Sequence, residues 1–402
     1  MVSFADVEQA RQRIREQIYF SPFPYSETIS RMTGNRVFFK LENLQMTGSF
    51  KERGALNKLL SLTAEEARRG VIAASAGNHG MAVAFHSRRL NIEATIVMPT
   101  AAPLIKVTRV RQYGARSVLS GNDYDAALAE ACRMSREKNL TFIAAFDDPL
   151  VVAGQGTIGL EIYEQNAALD ALVVPVGGGG LIGGVALAIK TLSPKTRVIG
   201  VQAEVLPSMK VALAQGAPAH LPPATTIADG IAVRAVGAAP LELAKKYVDE
   251  IVTVSEAEIA NAVLLLLEIE KTVAEGAAAV TLAALVNKKI ALAGTSVGLI
   301  ISGGNIDMNL IARIIETGLI KDGRLGRFSI VLSDRPGSLA RLSQRIAELG
   351  ANILHISHRR GFGEMAIGET EVELILETAG FDHIEKIYDT LKAEKFKIKN
   401  EP

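Results

Sequence analysis

Between about residues 70 and 305 the chain alternates short apolar runs with longer segments in which apolar and polar residues recur every three or four positions. The short runs GVIAAS, EATIVMP, SVLS, TFIAAF, ALVVPV, RVIGVQAE, EIVTVS and VGLIISGG are rich in β-branched residues and bounded by glycine, proline or polar positions, which predicts strands. Segments between them, such as YDAALAEACRMSREKN and SEAEIANAVLLLLEIEKT, carry the spacing of helices with one buried face. Strands that are apolar on both faces and alternate with helices predict a parallel sheet covered on both sides, an α/β fold.

The pattern changes at KDGRLGR (321–327), a polar, glycine-containing break. Beyond it the order reads strand (FSIVLS), helix (SLARLSQRIAELG), strand (NILHISHRR), strand (MAIGETEVELILE), helix (FDHIEKIYDTLKAE) and short strand (FKIK), the βαββαβ ferredoxin-like unit. A separate domain over 328–402 is expected, with 321–327 as linker and 1–320 as the larger domain. A chain of 402 residues exceeds the size at which single cores usually stop growing, which agrees with division.

Charge adds an exclusion. Lys+Arg 44 against Asp+Glu 43 leaves a net charge of +1, so no excess of cations favours nucleic acid or an anionic membrane surface. The longest apolar runs, AVLLLL and IALAGTSVGLIIS, fall short of the roughly 20 residues of a membrane span, and the charged N-terminus lacks the apolar core of a signal peptide. With Cys132 as the one cysteine, there is no intrachain disulfide framework, and a cytoplasmic protein with a structural thiol is expected.

The chemistry concentrates where strands end. In ALVVPVGGGGLIGG a buried strand runs through Gly177, Gly178, Gly179 and Gly180 into a helix, leaving backbone N–H groups at a helix N-terminus for an anionic phosphate. Residues 178–183 also match G-x-G-x-x-G, with Glu204 about 20 residues on, which taken alone reads as a dinucleotide site. No second nucleotide half surrounds it, however, and that reading gives no role to SAGNHG (75–80), SGGN (302–305) or Lys51 in MTGSFKERGALN (46–57). Lys51 sits where Thr47 or Ser49 could cap a helix and Glu52 would fall in its first turn. Together the motifs match pyridoxal phosphate: an amine for the aldehyde, N–H groups for the phosphate, Asn78 for the ring hydroxyl and Ser302 for the pyridine nitrogen.

KLENLQMTGSFKERGA (40–55), SAGNHG, PVGGGGLIGG (175–184), TIADG (226–230) and IISGGN (300–305) resemble, in order, the signatures of threonine/serine ammonia-lyases, pyridoxal-phosphate enzymes of the tryptophan-synthase-β type. The resemblance covers about residues 4–320 and implies a two-lobed catalytic domain, its smaller lobe roughly 48–152. It implies that Lys51 bonds the cofactor, Phe50 packs on its ring, Asn78 meets the ring hydroxyl, Gly177 to Gly180 with Leu181 cradle the phosphate, and Ser302 faces the ring nitrogen. The loop Ser75, Ala76, Gly77, Asn78 and His79 would hold the substrate carboxylate. The activity implied is β-elimination of L-threonine, and of L-serine more weakly, to a 2-oxo acid and ammonia.

Two departures narrow this. Serine racemases of this pattern carry serine where this chain has Ala76, so little racemisation is expected. Members that bind a divalent cation place a carboxylate six residues after the Glu of AE; here that position is Lys210, whose ammonium could pair with Glu204, so no metal is expected. The C-terminal stretch resembles an ACT domain, which implies an amino-acid effector, isoleucine or another branched-chain amino acid, at the turn Asp334, Pro336, Gly337, and a homo-oligomer, dimer or tetramer. Serine dehydratase or racemase activity, and a non-catalytic amino-acid sensor, are the competing readings.

Overall fold

Six strands of the larger sheet run in the order Tyr25–Ser26, Arg36–Leu41, Ser296–Ile301, Ala171–Pro175, Arg197–Ala203, Glu250–Val254, parallel throughout except for the antiparallel first pair. The computed structural model describes residues 2–360 and 366–399. A smaller four-stranded parallel sheet has the order Arg116–Leu119, Ala94–Met98, Val71–Ala74, Thr141–Phe142. Both sheets belong to one compact unit, Met1–Ile306. The strands foreseen between 70 and 305 all form. Arg36–Leu41 and Tyr25–Ser26 were not foreseen.

The order of strands places the site. From Ala171–Pro175 the chain builds outward to Glu250–Val254, then returns on the other side as Ser296–Ile301. Ligands of open α/β sheets bind at the C-terminal strand ends beside such a reversal. Three adjacent strands end there, and they lead to the segments containing Lys51, Ser302 and Gly177. In the smaller sheet the neighbouring strands Val71–Ala74 and Thr141–Phe142 lead into Ser75 and Ala145.

Lys51 opens the helix Lys51–Leu59, which lies against Pro149–Gln165 so closely that side chains are excluded at the crossing. A Cβ on Gly154 would stand 2.7 Å from the Gly54 Cα and from the Arg53 carbonyl oxygen. The same helix is held by buried ions. Arg53, 1% exposed, donates to Glu42 at 2.7 Å and to Glu161 at 2.6 Å, and Lys40 donates to Glu161 at 2.7 Å. Deleting one member of such a cluster strands the others without water and costs about 3–5 kcal/mol.

The expected cap does not form. Phe50 is the N-cap residue and gives no side-chain hydrogen bond, while the Thr47 and Ser49 hydroxyls are buried without partners among the described residues. Glu52 does lie in the first turn, but there its carboxylate is buried, accepting from the Thr47 N–H and facing His86 Nε2 at 3.3 Å. The Phe50 N–H is instead satisfied by the Ser302 carbonyl at 3.0 Å, so the helix start is tied to the opposite wall of the site.

The second unit, Asp307–Pro402, holds an antiparallel sheet ordered Asn352–Arg359, Glu369–Glu377, Leu325–Ser333, Lys397–Ile398, with the helices Ser338–Glu348 and Phe381–Ala393. Val372, Leu374 and Leu376 alternate inward to meet Leu342, Ile346, Ile387 and Leu391. The helix Met308–Lys321 precedes the sheet in this unit, and the beginning of the strand foreseen at Met365 lies outside the described residues. No helix among the described residues is long and apolar enough to cross a membrane.

Candidate active site

A cavity of about 300 Å³ opens between the two sheets of the first unit, and its walls include Phe50, Lys51, Ser75, Ala76, Gly77, Asn78, His79, Gly177, Gly178, Gly179, Gly180, Leu181 and Ser302. Every position expected from the sequence to touch cofactor or substrate therefore lines one cavity. Asp334, Pro336 and Gly337 lie in the other unit.

Lys51 is half-buried at the N-terminal end of its helix, its amine donating to the Ala145 carbonyl at 2.8 Å and standing 5.1 Å from the Phe50 ring centre. Burial disfavours the ammonium and lowers its pKa from 10.5 to about 8, against the pull of the Glu275 carboxylate. About a tenth of the amine is then uncharged, and thus nucleophilic, at pH 7, far more than for an ordinary lysine.

At the other end of the cavity the helix Gly180–Leu192 begins on Gly179, which has φ +95° and offers no side chain to cap the first-turn N–H groups. Such groups have no acceptor within the helix and favour an anion. Gly178 is constrained by packing as well: a Cβ there would stand 2.3 Å from Phe146 Cγ. The uncapped N-terminus at one end and the amine of lowered pKa at the other fit a phosphorylated aldehyde such as pyridoxal phosphate.

Ser75 accepts from the Gly77 N–H at 3.1 Å, folding the 75–77 turn so that the helix Asn78–Arg89 starts at the cavity with no side-chain cap. Asn78 Nδ2 donates to Glu275 at 2.8 Å, and Asn78 Oδ1 accepts from Asn305 Nδ2 at 2.9 Å. His79 Nε2 lies 2.9 Å from the Ile143 carbonyl, so that nitrogen carries the proton; burial and the nearby Lys51 depress its pKa to about 3, and the ring is neutral. Ser302 is 2% exposed and lines the cavity.

Several wall residues were not found from the sequence. Ala145 and Phe146 follow a two-residue strand, and their signal was the strand end TFIAAFDDP. Glu275 is 4% exposed, and burial followed by the Asp229 carboxylate raises its pKa to about 7. Its signal was a lone carboxylate in the apolar run VAEGAAAV. Lys106 reaches from the smaller lobe to Asp229 at 2.7 Å across the cavity mouth.

Glu204 and Lys210 are both exposed, and no ion pair joins them among the described residues, so the expected pairing is corrected. Each side chain extends into water, where an isolated pair gains little. In the second unit, Asp334 accepts from Arg360 at 3.1 Å, and Gly337, with φ +92°, precedes a helix whose N-terminus has no side-chain cap.

Residues 14–303 match the family model described as pyridoxal-phosphate dependent enzyme, and residues 327–396 match the ACT domain. The L-threonine ammonia-lyase of Thermotoga maritima is 47% identical over 399 residues, 99% of either chain. Among solved structures, threonine deaminase isoform 2 of Solanum lycopersicum is 37% identical with a TM-score of 0.75, covering 79% of this chain and 87% of that one. Serine racemase of Dictyostelium discoideum is 35% identical with a TM-score of 0.72, covering 76% and 99%. With its lysine-bearing cavity and its family match over most of the length, the chain belongs to the pyridoxal-phosphate dependent enzymes and carries a C-terminal ACT domain.

Proposed function

We infer that the protein is a threonine ammonia-lyase, converting L-threonine to 2-oxobutyrate and ammonia, and L-serine more weakly to pyruvate. The observation that carries this is the low-pKa amine of Lys51 facing an uncapped glycine-rich helix N-terminus across one cavity. Near-full-length similarity to a chain named L-threonine ammonia-lyase selects threonine within the chemistry that such a site permits.

When bound, pyridoxal phosphate supplies an aldehyde that condenses with amines and a ring that withdraws the electron pair left at Cα. Lys51 would hold the aldehyde between turnovers, and its amine, once exchanged for that of the substrate, would take the Cα proton. Gly177 to Gly180 and Leu181 would hold the phosphate by backbone N–H groups, Phe50 would lie on the ring, Asn78 would meet the ring hydroxyl and Ser302 the ring nitrogen. Ser302 is neutral and does not keep a proton on that nitrogen as a carboxylate would, which favours prompt loss of the β-hydroxyl. Ser75 and the N–H groups through His79 would receive the substrate carboxylate at the start of their helix. The β-hydroxyl leaves with a proton as water, and hydrolysis of the released enamine gives the 2-oxo acid and ammonia.

The chain is further read as a cytoplasmic homo-oligomer in which 1–320 performs catalysis and 328–402 responds to an amino acid. Isoleucine or another branched-chain amino acid is proposed to place its carboxylate at the turn of Asp334, Pro336 and Gly337, where N–H groups lack a side-chain cap. The test of the activity is formation of 2-oxobutyrate from L-threonine by wild type and by Lys51→Ala, with and without isoleucine. Wild-type turnover that vanishes in the variant is expected. Equal turnover in both, or none in wild type loaded with pyridoxal phosphate, would refute the assignment.

A further inference from the structure

Asn78 is expected to bond the cofactor's ring hydroxyl, yet a free asparagine amide can present either its oxygen or its nitrogen to a ligand. In this cavity both ends of the amide are engaged. Nδ2 donates to Glu275 Oε1 at 2.8 Å, and Oδ1 accepts from Asn305 Nδ2 at 2.9 Å, the same nitrogen that donates to the Thr47 carbonyl at 2.7 Å. Glu275 accepts from Nδ2 here and, when ionised, cannot donate, so in that form it draws the nitrogen toward itself and leaves the second proton of Nδ2 for a ligand.

Glu275 is itself immobilised. It is 4% exposed, and its backbone N–H donates to the Gly303 carbonyl at 3.0 Å. Its Oε1 lies so near the 302–305 loop that a Cβ on Gly303 would be 2.6 Å away. The charged groups around it come from other elements: Lys51, Lys106 and Asp229.

We propose that Glu275 is a positioning residue for the cofactor, fixing the Asn78 amide so that one N–H faces the ring hydroxyl. The inference rests on the pyridoxal-phosphate reading of the cavity and adds to it the group that sets the polarity of one contact. A merely structural role for Glu275 would act on the fold and not through Asn78.

The test is titration of the apoproteins with pyridoxal phosphate, followed by visible absorbance, in wild type, Glu275→Ala, Glu275→Gln, Asn78→Ala and the Glu275→Ala/Asn78→Ala double variant. Glu275→Ala and Asn78→Ala should each raise Kd about tenfold or more, the worth of a hydrogen bond to a charged group. The double variant should bind within about twofold of Asn78→Ala, because a residue acting through another adds nothing once that other is gone. Glu275→Gln keeps a carbonyl acceptor and should stay within about threefold of wild type. Should Glu275→Ala fail to fold, Glu275→Asp retracts the carboxylate by one methylene, and the same non-additivity with Asn78→Ala is expected. An unchanged Kd in Glu275→Ala, or losses that multiply in the double variant, would overturn the proposal while leaving the cofactor reading intact. A wild type that binds no pyridoxal phosphate would overturn both.

Discussion

Replacing Gly178 with alanine tests whether the glycine turn is built by packing as well as by its backbone groups. The new Cβ would stand 2.3 Å from Phe146 Cγ, 2.4 Å from Cδ1 and 2.5 Å from Cδ2, against an ordinary contact of 3.4 Å or more. Either the ring or the turn must retreat by about 1 Å. The Phe146 backbone cannot easily follow, since its carbonyl oxygen would already lie 2.9 Å from a Cβ on Gly180. Overpacking of this kind costs about 1–3 kcal/mol. If the turn moves, its N–H groups leave the position in which a phosphate would be held. Urea unfolding of the apoproteins should show the loss of stability, and titration with pyridoxal phosphate should show weaker binding. Adding Phe146→Ala removes the obstacle, so the double variant should be more stable than the sum of single effects predicts by about 1 kcal/mol or more. Wild-type stability and cofactor affinity in Gly178→Ala, or strict additivity in the double variant, would refute the reasoning.

Three further outcomes are expected. The rate at which apoprotein captures pyridoxal phosphate should rise about tenfold per pH unit and level off above about pH 8, where the Lys51 amine becomes neutral; a rise continuing past pH 10 would show an ordinary lysine. Glu275 has a carboxyl pKa raised from 4.5 to about 7, so the folded state binds its proton more tightly, and the stability this group contributes is present below about pH 4.5 and lost as pH rises through 7. Glu275→Gln apoprotein should therefore gain up to about 3 kcal/mol relative to wild type on going from pH 4.5 to pH 8 in urea unfolding, and an equal difference at both would contradict it. Ala76→Ser should produce D-serine from L-serine, measured by chiral chromatography, where wild type forms little; rapid racemisation by wild type would remove the role given to position 76.

Much of the site was legible because its residues mark themselves locally. Four consecutive glycines after an apolar strand, and polar turns at two other strand ends, point to a ligand before any coordinates are seen. The βαββαβ unit was equally plain, because ETEVEL alternates polar and apolar positions toward its end and the strand buries every second residue. The strand Arg36–Leu41 was missed because RVFFKL carries a lysine at its penultimate position. Lys40 is tolerated there through Glu161 and Gln165, distant in sequence and contributed by another element, and through the Ser21 carbonyl. The cap expected at Thr47 or Ser49 failed for a similar reason, since the carbonyl of Ser302 claims the Phe50 N–H. Glu275 and Phe146 were hidden because what defines them is contact: with Asn78 in one case, and with the missing side chain of Gly178 in the other.

The central claim is that Lys51, and no other lysine, carries the cofactor. Reducing the pyridoxal-phosphate-loaded protein with borohydride makes the bond between lysine and cofactor permanent, and mass spectrometry of the digested chain then locates it. The account predicts the cofactor's mass on the peptide containing Lys51. Finding it instead on the peptide of Lys40 or Lys106, with Lys51 unmodified, would contradict it.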